Sequence, residues 1–189
     1  MSTLTTSEEQ SHLLLSTTYG LNSSHTKKIH VGLQSTNGGS FVPVVKLSGN
    51  YAEGICFNTD TWQQFQDNME YMKQYLNENQ KIKPDPVIFE NISINFTSAY
   101  GARAVLVTYK ENKDHVADDK MEESQPPLKK RKTFTVAIVM QKTTFLGLEN
   151  IKKCVDAHLM QLVSVVDTVN EIARYLINEI ELKLPSSYI

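Results

Sequence analysis

Short runs in which apolar and polar residues alternate recur along this chain, and twice a set of such runs leads into a stretch with helical spacing. In the first set, Ile29, Val31 and Leu33 share one face of KKIHVGLQ, with Lys28, His30 and Gln34 on the other. The turn Thr36-Asn37-Gly38-Gly39 leads to a second run, Phe41 to Ser48, in which Pro43 marks an edge position or a bulge. Gly54 to Asn58 makes a third strand. Thr59 or Asp60 then caps a helix whose apolar residues Trp62, Phe65, Met69, Met72 and Leu76 form one continuous stripe.

The second set repeats this order. Ile92, Ile94 and Phe96 alternate with Ser93, Asn95 and Thr97, Tyr100-Gly101 turns the chain, and a second run continues to Tyr109. Phe134 to Gln141 is the last strand. From Lys142 onward, Phe145, Leu148, Val155, Leu159, Leu162, Val166, Val169, Ala173, Leu176 and Ile180 keep helical phase. This predicts one long helix, with Thr168 and Glu171 marking the place for any kink.

Each set alone is too small to bury much apolar surface; side by side they make one body. The expected fold is therefore α+β: two pseudo-repeated antiparallel-sheet-plus-helix units packed as an internal pseudo-dimer, ending in a long helix. Residues 1–26, rich in Ser, Thr and Asn, read as a disordered tail. The first unit spans 27–82 and the second 83–189, with a charged, Pro-containing loop at 111–132 inserted between strands.

Charge refines this picture by its distribution. The net charge of −2 argues against a strongly basic surface. Residues 27–58 carry three lysines against one acid, whereas 59–82 carry four acids against two lysines. The sheet is mildly basic and its helix acidic. Cys56 and Cys154 read as two buried thiols of a reducing compartment rather than a disulfide framework. No apolar run reaches the length of a membrane span.

The inventory for catalysis is thin. There is no phosphate-cradling Gly-rich loop, no Cys or His pair at metal spacing and no nucleophile elbow, so neither an enzyme nor a cofactor is expected. The sharpest short motif is Pro126-Pro127-Leu128 followed by Lys129, Lys130, Arg131 and Lys132. Four consecutive cations in an extended, exposed loop suit an importin groove and point to the nucleus.

A third feature is Gly54-Ile55-Cys56-Phe57-Asn58-Thr59-Asp60-Thr61-Trp62, preceded by two strands joined through a Gly-containing turn. It resembles the Gly-Ile-x-Leu-x-x-x-x-Trp signature of the single-stranded-DNA-binding coactivators known as transcriptional positive cofactor four. The second half keeps the order, with Phe145 where the Trp would stand. The tandem arrangement is similar to the plant Whirly proteins, which carry two such units in one chain. The resemblance covers roughly 27–80 and 88–165. One departure is that the turn STNGGSF keeps Phe41 but carries no cation.

The resemblance implies a non-catalytic, nuclear single-stranded-DNA-binding protein (RNA being the near alternative) acting in transcription or replication. Phosphates would be held by Lys28, His30, Lys46 and Arg103, expected to face away from the helices, with Lys110 and Lys142 beside them. Phe41, Tyr51, Tyr100, Tyr109 and Trp62 would offer stacking surfaces, Trp62 doubling as core. Six neutralised phosphates would give a log–log salt slope of about −4. The alternative is an assembly module of the same fold, a homo-oligomer joined through the C-terminal helix.

Overall fold

The computed structural model describes residues 12–50, 53–77, 83–110 and 135–183. Two four-stranded antiparallel sheets follow one another along the chain, each in simple up-and-down order. The first holds β1 (Leu14–Gly20), β2 (Lys28–Ser35), β3 (Phe41–Ser48) and β4 (Gly54–Phe57). Two short helices follow, α1 (Thr59–Asp67) and α2 (Met69–Asn77). The second sheet holds β5 (Val87–Phe89), β6 (Ile92–Ala99), β7 (Ala102–Lys110) and β8 (Thr135–Gln141), and runs directly into α3 (Lys142–Lys183).

The fold is α+β and the repeat is four strands plus helix, twice. Each unit gains one strand over the sequence expectation. Residues 14–20 lie within the stretch read as tail, yet they pair with β2, from Thr17 opposite Val31 to Gly20 opposite Lys28. A bulge between Leu14 and Thr17, with Leu15 at φ 51°, breaks the alternation that would have marked the strand. In the second unit the three residues of β5 are too few to show a period.

Asn58, rather than Thr59 or Asp60, caps α1: its side-chain oxygen accepts the Thr61 N–H at 2.7 Å. The stripe read as one helix is interrupted at Asn68. There the side-chain amide donates to the Gln64 carbonyl at 2.8 Å and the backbone N–H turns to Phe65. α3 is one helix of 42 residues, about 63 Å long at 1.5 Å per residue.

The helices tie the units together by crossing over. α3, the second unit's helix, packs across β2 and β3 of the first sheet. α2, from the first unit, leans on β7 of the second sheet, and its Tyr71 and Tyr75 make T-shaped contacts with Phe96 of neighbouring β6. The helices run antiparallel, Lys73 to Glu149 at one level and Trp62 to Asp156 at another. One continuous core results, from Ile29, Val31 and Leu33 through Trp62 and Phe65 to Phe96, Met140 and Leu159. Close approach sets its tightness at Gly147, where a Cβ would sit 2.0 Å from the Leu21 carbonyl oxygen. The two thiols are not both buried: Cys154 is exposed and Cys56 half-buried.

Candidate nucleic-acid interface

Register decides which side chains share a face. Thr18, His30, Lys46 and Cys56 stand opposite one another across β1 to β4, and Gly20, Lys28, Ser48 and Gly54 form the next row. Ile29, Val31, Leu33, Val45 and Leu47 take the alternate positions and are fully buried toward the helices. Lys28, His30 and Lys46 therefore lie together on the outer face of the first sheet. Lys46 lies low: a Cβ on Gly54 would come within 2.9 Å of its Cε, so the glycine leaves room for the lysine stem to cross β4.

His30 is the centre of this face. Its Nδ1 is hydrogen-bonded to Thr18 Oγ1 and its Nε2 to Ser48 Oγ, both at 2.9 Å. Partial burial, then the charges of Lys46 and Lys28, hold its pKa below the ordinary histidine value. The Cys56 thiol is pushed up by burial, with Lys46 pulling it the other way.

The outer face of the second sheet is different in kind. Ser93 and Thr108 bond hydroxyl to hydroxyl, and Asn95 donates to Ser93 at 3.0 Å. Leu106, Val139 and exposed Ile88 fill the rest of it, and Lys110 stands at its end opposite Thr135. Lys142 is exposed at the start of α3.

Four expected site residues belong elsewhere. Arg103 shares its face with Val105 and Val107 and points to the helix side, because the odd-numbered positions of β7 are the inward ones. Its guanidinium donates to the Tyr75 carbonyl at 2.8 Å, close to the end of α2, and lies 4.9 Å from the Tyr75 ring centroid. Tyr109 pairs with Ile92 and packs on the rim of the core. Trp62 is 2% exposed, stacked on Phe65, and its indole N–H donates to Asp156 at 2.8 Å. Phe41 also turns to the helix side. The Asn170 side chain accepts its N–H at 2.7 Å and donates to its carbonyl at 3.0 Å. Tyr51 and the cluster Lys129 to Lys132 lie outside the described residues.

Of the expected stacking aromatics that are described, Tyr100 is presented to solvent. It is 99% exposed at the tip of the β6–β7 hairpin, held with φ 53° beside Gly101 at φ 77°. The contrast expected for the first unit, a basic sheet with an acidic helix, extends over both units. The eight strands carry four Lys or Arg and no carboxylate, while the three helices carry nine carboxylates against six Lys or Arg. Among the described residues the acids lie in the helices and, at Glu53, Asp85 and Glu90, in loops, and no strand position carries one.

No known family model matches the chain, and no curated protein matches it significantly. Among the described residues there is no cluster of His, Cys, Asp and Glu able to hold a metal ion. No described helix is long and apolar enough to cross a membrane.

Proposed function

We propose that this protein binds single-stranded nucleic acid along the outer face of its first sheet. It acts without catalysis, as a nuclear factor of transcription or replication. The observation that carries this reading is the convergence of Lys28, His30 and Lys46 on an outer face whose strands carry no carboxylate. A phosphodiester chain laid there meets cations and hydroxyls and, among the described strand residues, no opposing carboxylate. The resemblance of 54–62 to the transcriptional positive cofactor four signature, doubled as in Whirly proteins, supports the same reading, and DNA is the favoured strand. Importin would engage Lys129 to Lys132.

The mechanism rests on phosphates more than on stacking. Phe41, Trp62 and Tyr109 serve the core, so the first sheet's outer face offers no aromatic among the described residues, and Tyr100 is the described stacking surface. Two lysines neutralising two phosphates give a log–log salt slope of about −1.4, in place of the −4 of a six-phosphate footprint. The test is titration with a labelled mixed-sequence strand of about 30 nucleotides at two salt concentrations, with duplex as competitor. Salt-sensitive binding that duplex fails to displace, and that Lys28→Glu with Lys46→Glu abolishes, supports the proposal. No binding at micromolar protein and low salt sinks it.

A second reading, self-assembly, is favoured by one observation. Beyond Asn170, α3 carries Ile172, Tyr175, Leu176, Ile177, Ile180 and Leu182, all exposed, Leu182 at 81%. The stripe at Val166, Val169, Ala173, Leu176 and Ile180 keeps the 3-4 spacing that pairs a helix with its own copy. The proposed partner for this end is a second copy of the chain. The two readings are compatible, since the stripe and the outer face lie on different elements.

A further inference from the structure

We infer that Thr18, His30 and Ser48, flanked by Lys28 and Lys46, form a phosphodiester site that takes up one proton as it fills. This rests on the single-strand reading of the same face and gives it a chemical mechanism.

The hydrogen-bond inventory carries the argument. Both ring nitrogens of His30 are bonded to hydroxyls at 2.9 Å, Nδ1 to Thr18 and Nε2 to Ser48. A neutral imidazole has one N–H and one bare nitrogen, so one of those hydroxyls must spend its own O–H on the ring. An imidazolium donates from both nitrogens, so both hydroxyls accept and each keeps its O–H for another acceptor. Ser48 is 5% exposed, but Thr18 lies open to solvent. Protonation therefore places a positive charge on the face and leaves the Thr18 O–H free to point outward. An anion needs both. The proton comes from solvent and goes to the bare nitrogen; a hydroxyl rotates, and no bond between heavy atoms changes.

The surroundings decide when this happens. β1 brings Thr18 to the ring, β2 brings Lys28, β3 brings Lys46 and Ser48, and β4 brings Cys56, whose raised pKa keeps it neutral. None of these is a carboxylate. With the face empty, the two lysines and partial burial oppose protonation. A phosphate lying between the lysines cancels their effect, and the ring then accepts the proton that the empty face refuses. Binding and proton uptake are linked, so affinity rises as pH falls through the bound-state pKa and levels off below the free-state one.

The experiment is binding of oligothymidylate to the full chain from about pH 5.5 to pH 8, a range in which the histidine titrates and the phosphodiester does not. The expected result is a gain in affinity of about tenfold on acidification, one pKa unit of linkage. His30→Gln should flatten the profile at its alkaline level. Thr18→Val, at an exposed position that leaves the ring in place, should lose part of the acid-side gain. In parallel, NMR titration of the His30 ring with inorganic sulfate should raise its pKa. Binding that is tight but indifferent to pH, equal in wild type and His30→Gln, overturns this inference and leaves the single-strand reading standing. A sulfate-raised His30 in a protein that binds no strand supports the anion site and overturns the single-strand reading. An unmoved His30 in a protein that binds no strand overturns both.

Discussion

At the scale of single residues, two positions concentrate the chemistry and the packing. His30 is held neutral in the native state by burial and two lysines, so the unfolded chain binds its proton more readily. The stabilising contribution of the neutral ring is complete above the ordinary value of 6.5 and is lost as pH falls through it toward the folded pKa. In anion-free buffer, the stability difference between wild type and His30→Gln should therefore shift against wild type on acidification below about pH 6.5. Urea melts at several pH values read this directly; a pH-independent difference would refute it. Gly147 is the packing counterpart. Its α-carbon leaves no room for a Cβ against the Leu21 carbonyl, so Gly147→Ala must push α3 and the β1–β2 connection apart. Overpacking of this kind costs about 1–3 kcal/mol, measurable as a lowered urea midpoint at unchanged m. The grouping of Lys28, His30 and Lys46 was legible from strand alternation alone. Arg103 was misassigned to that outer set, although its alternation with Ala102 and Ala104 puts it on the inward face of Val105. Gly147 was not legible, because a glycine inside a helical stripe says nothing about which carbonyl approaches it.

At the scale of elements, α3 does two jobs along one stripe. Its first half buries Phe145, Leu148, Val155, Leu159 and Leu162. Its second half leaves the body after Asn170, whose side chain pairs both backbone groups of Phe41 in the way a neighbouring strand would. β4 pairs only with Val45 to Ser48, so Phe41 lies on an otherwise open edge, where Pro43 needs no N–H partner. Asn170→Ala should cost about 1 kcal/mol, since it orphans one donor and one acceptor that are half-buried. Thermal unfolding of the variant checks this. Past that clamp, a helical end of 13 residues, 171–183, is too short to be stable alone in water. If copies pair there, Leu176→Glu with Ile180→Glu should reduce the mass measured by light scattering to that of a monomer. An unchanged mass would remove the assembly reading. Helical phase made α3 plain in the sequence. β1 and β5 were hidden by a bulge and by brevity, because pairing partners, not their own period, make them strands.

At the scale of the whole molecule, the crossed helices set how the protein folds and how it meets a ligand. Among the described residues nine of the twelve acids lie in the helices and none in a strand, so within the described part the strands carry a cationic excess and the helices an acidic one. That separation exists only when both units are assembled. α3 covers the inner faces of β2 and β3, and α2 covers β7, so each sheet depends on the other unit's helix. A chain ending before β5 would lose α3, which packs across β2 and β3, and leave Ile29, Val31, Leu33, Val45 and Leu47 with α1 and α2 as their only helical cover. Each such side chain contributes about 1.5–3 kcal/mol when fully buried, and the sum over these residues is of the same size as the whole stability of an ordinary small domain, about 5–15 kcal/mol. Residues 12–82 expressed alone should therefore fail to fold, with no dispersed amide spectrum. The full chain should unfold in one cooperative step. Trp62 reports that step well, because its indole bonds to Asp156 of α3 and its ring stacks within the first unit. Its fluorescence and the far-UV circular dichroism should give coincident denaturation curves. Two separated transitions, or a folded 12–82 fragment, would mean that the units are independent and that the crossing of helices adds little to their stability.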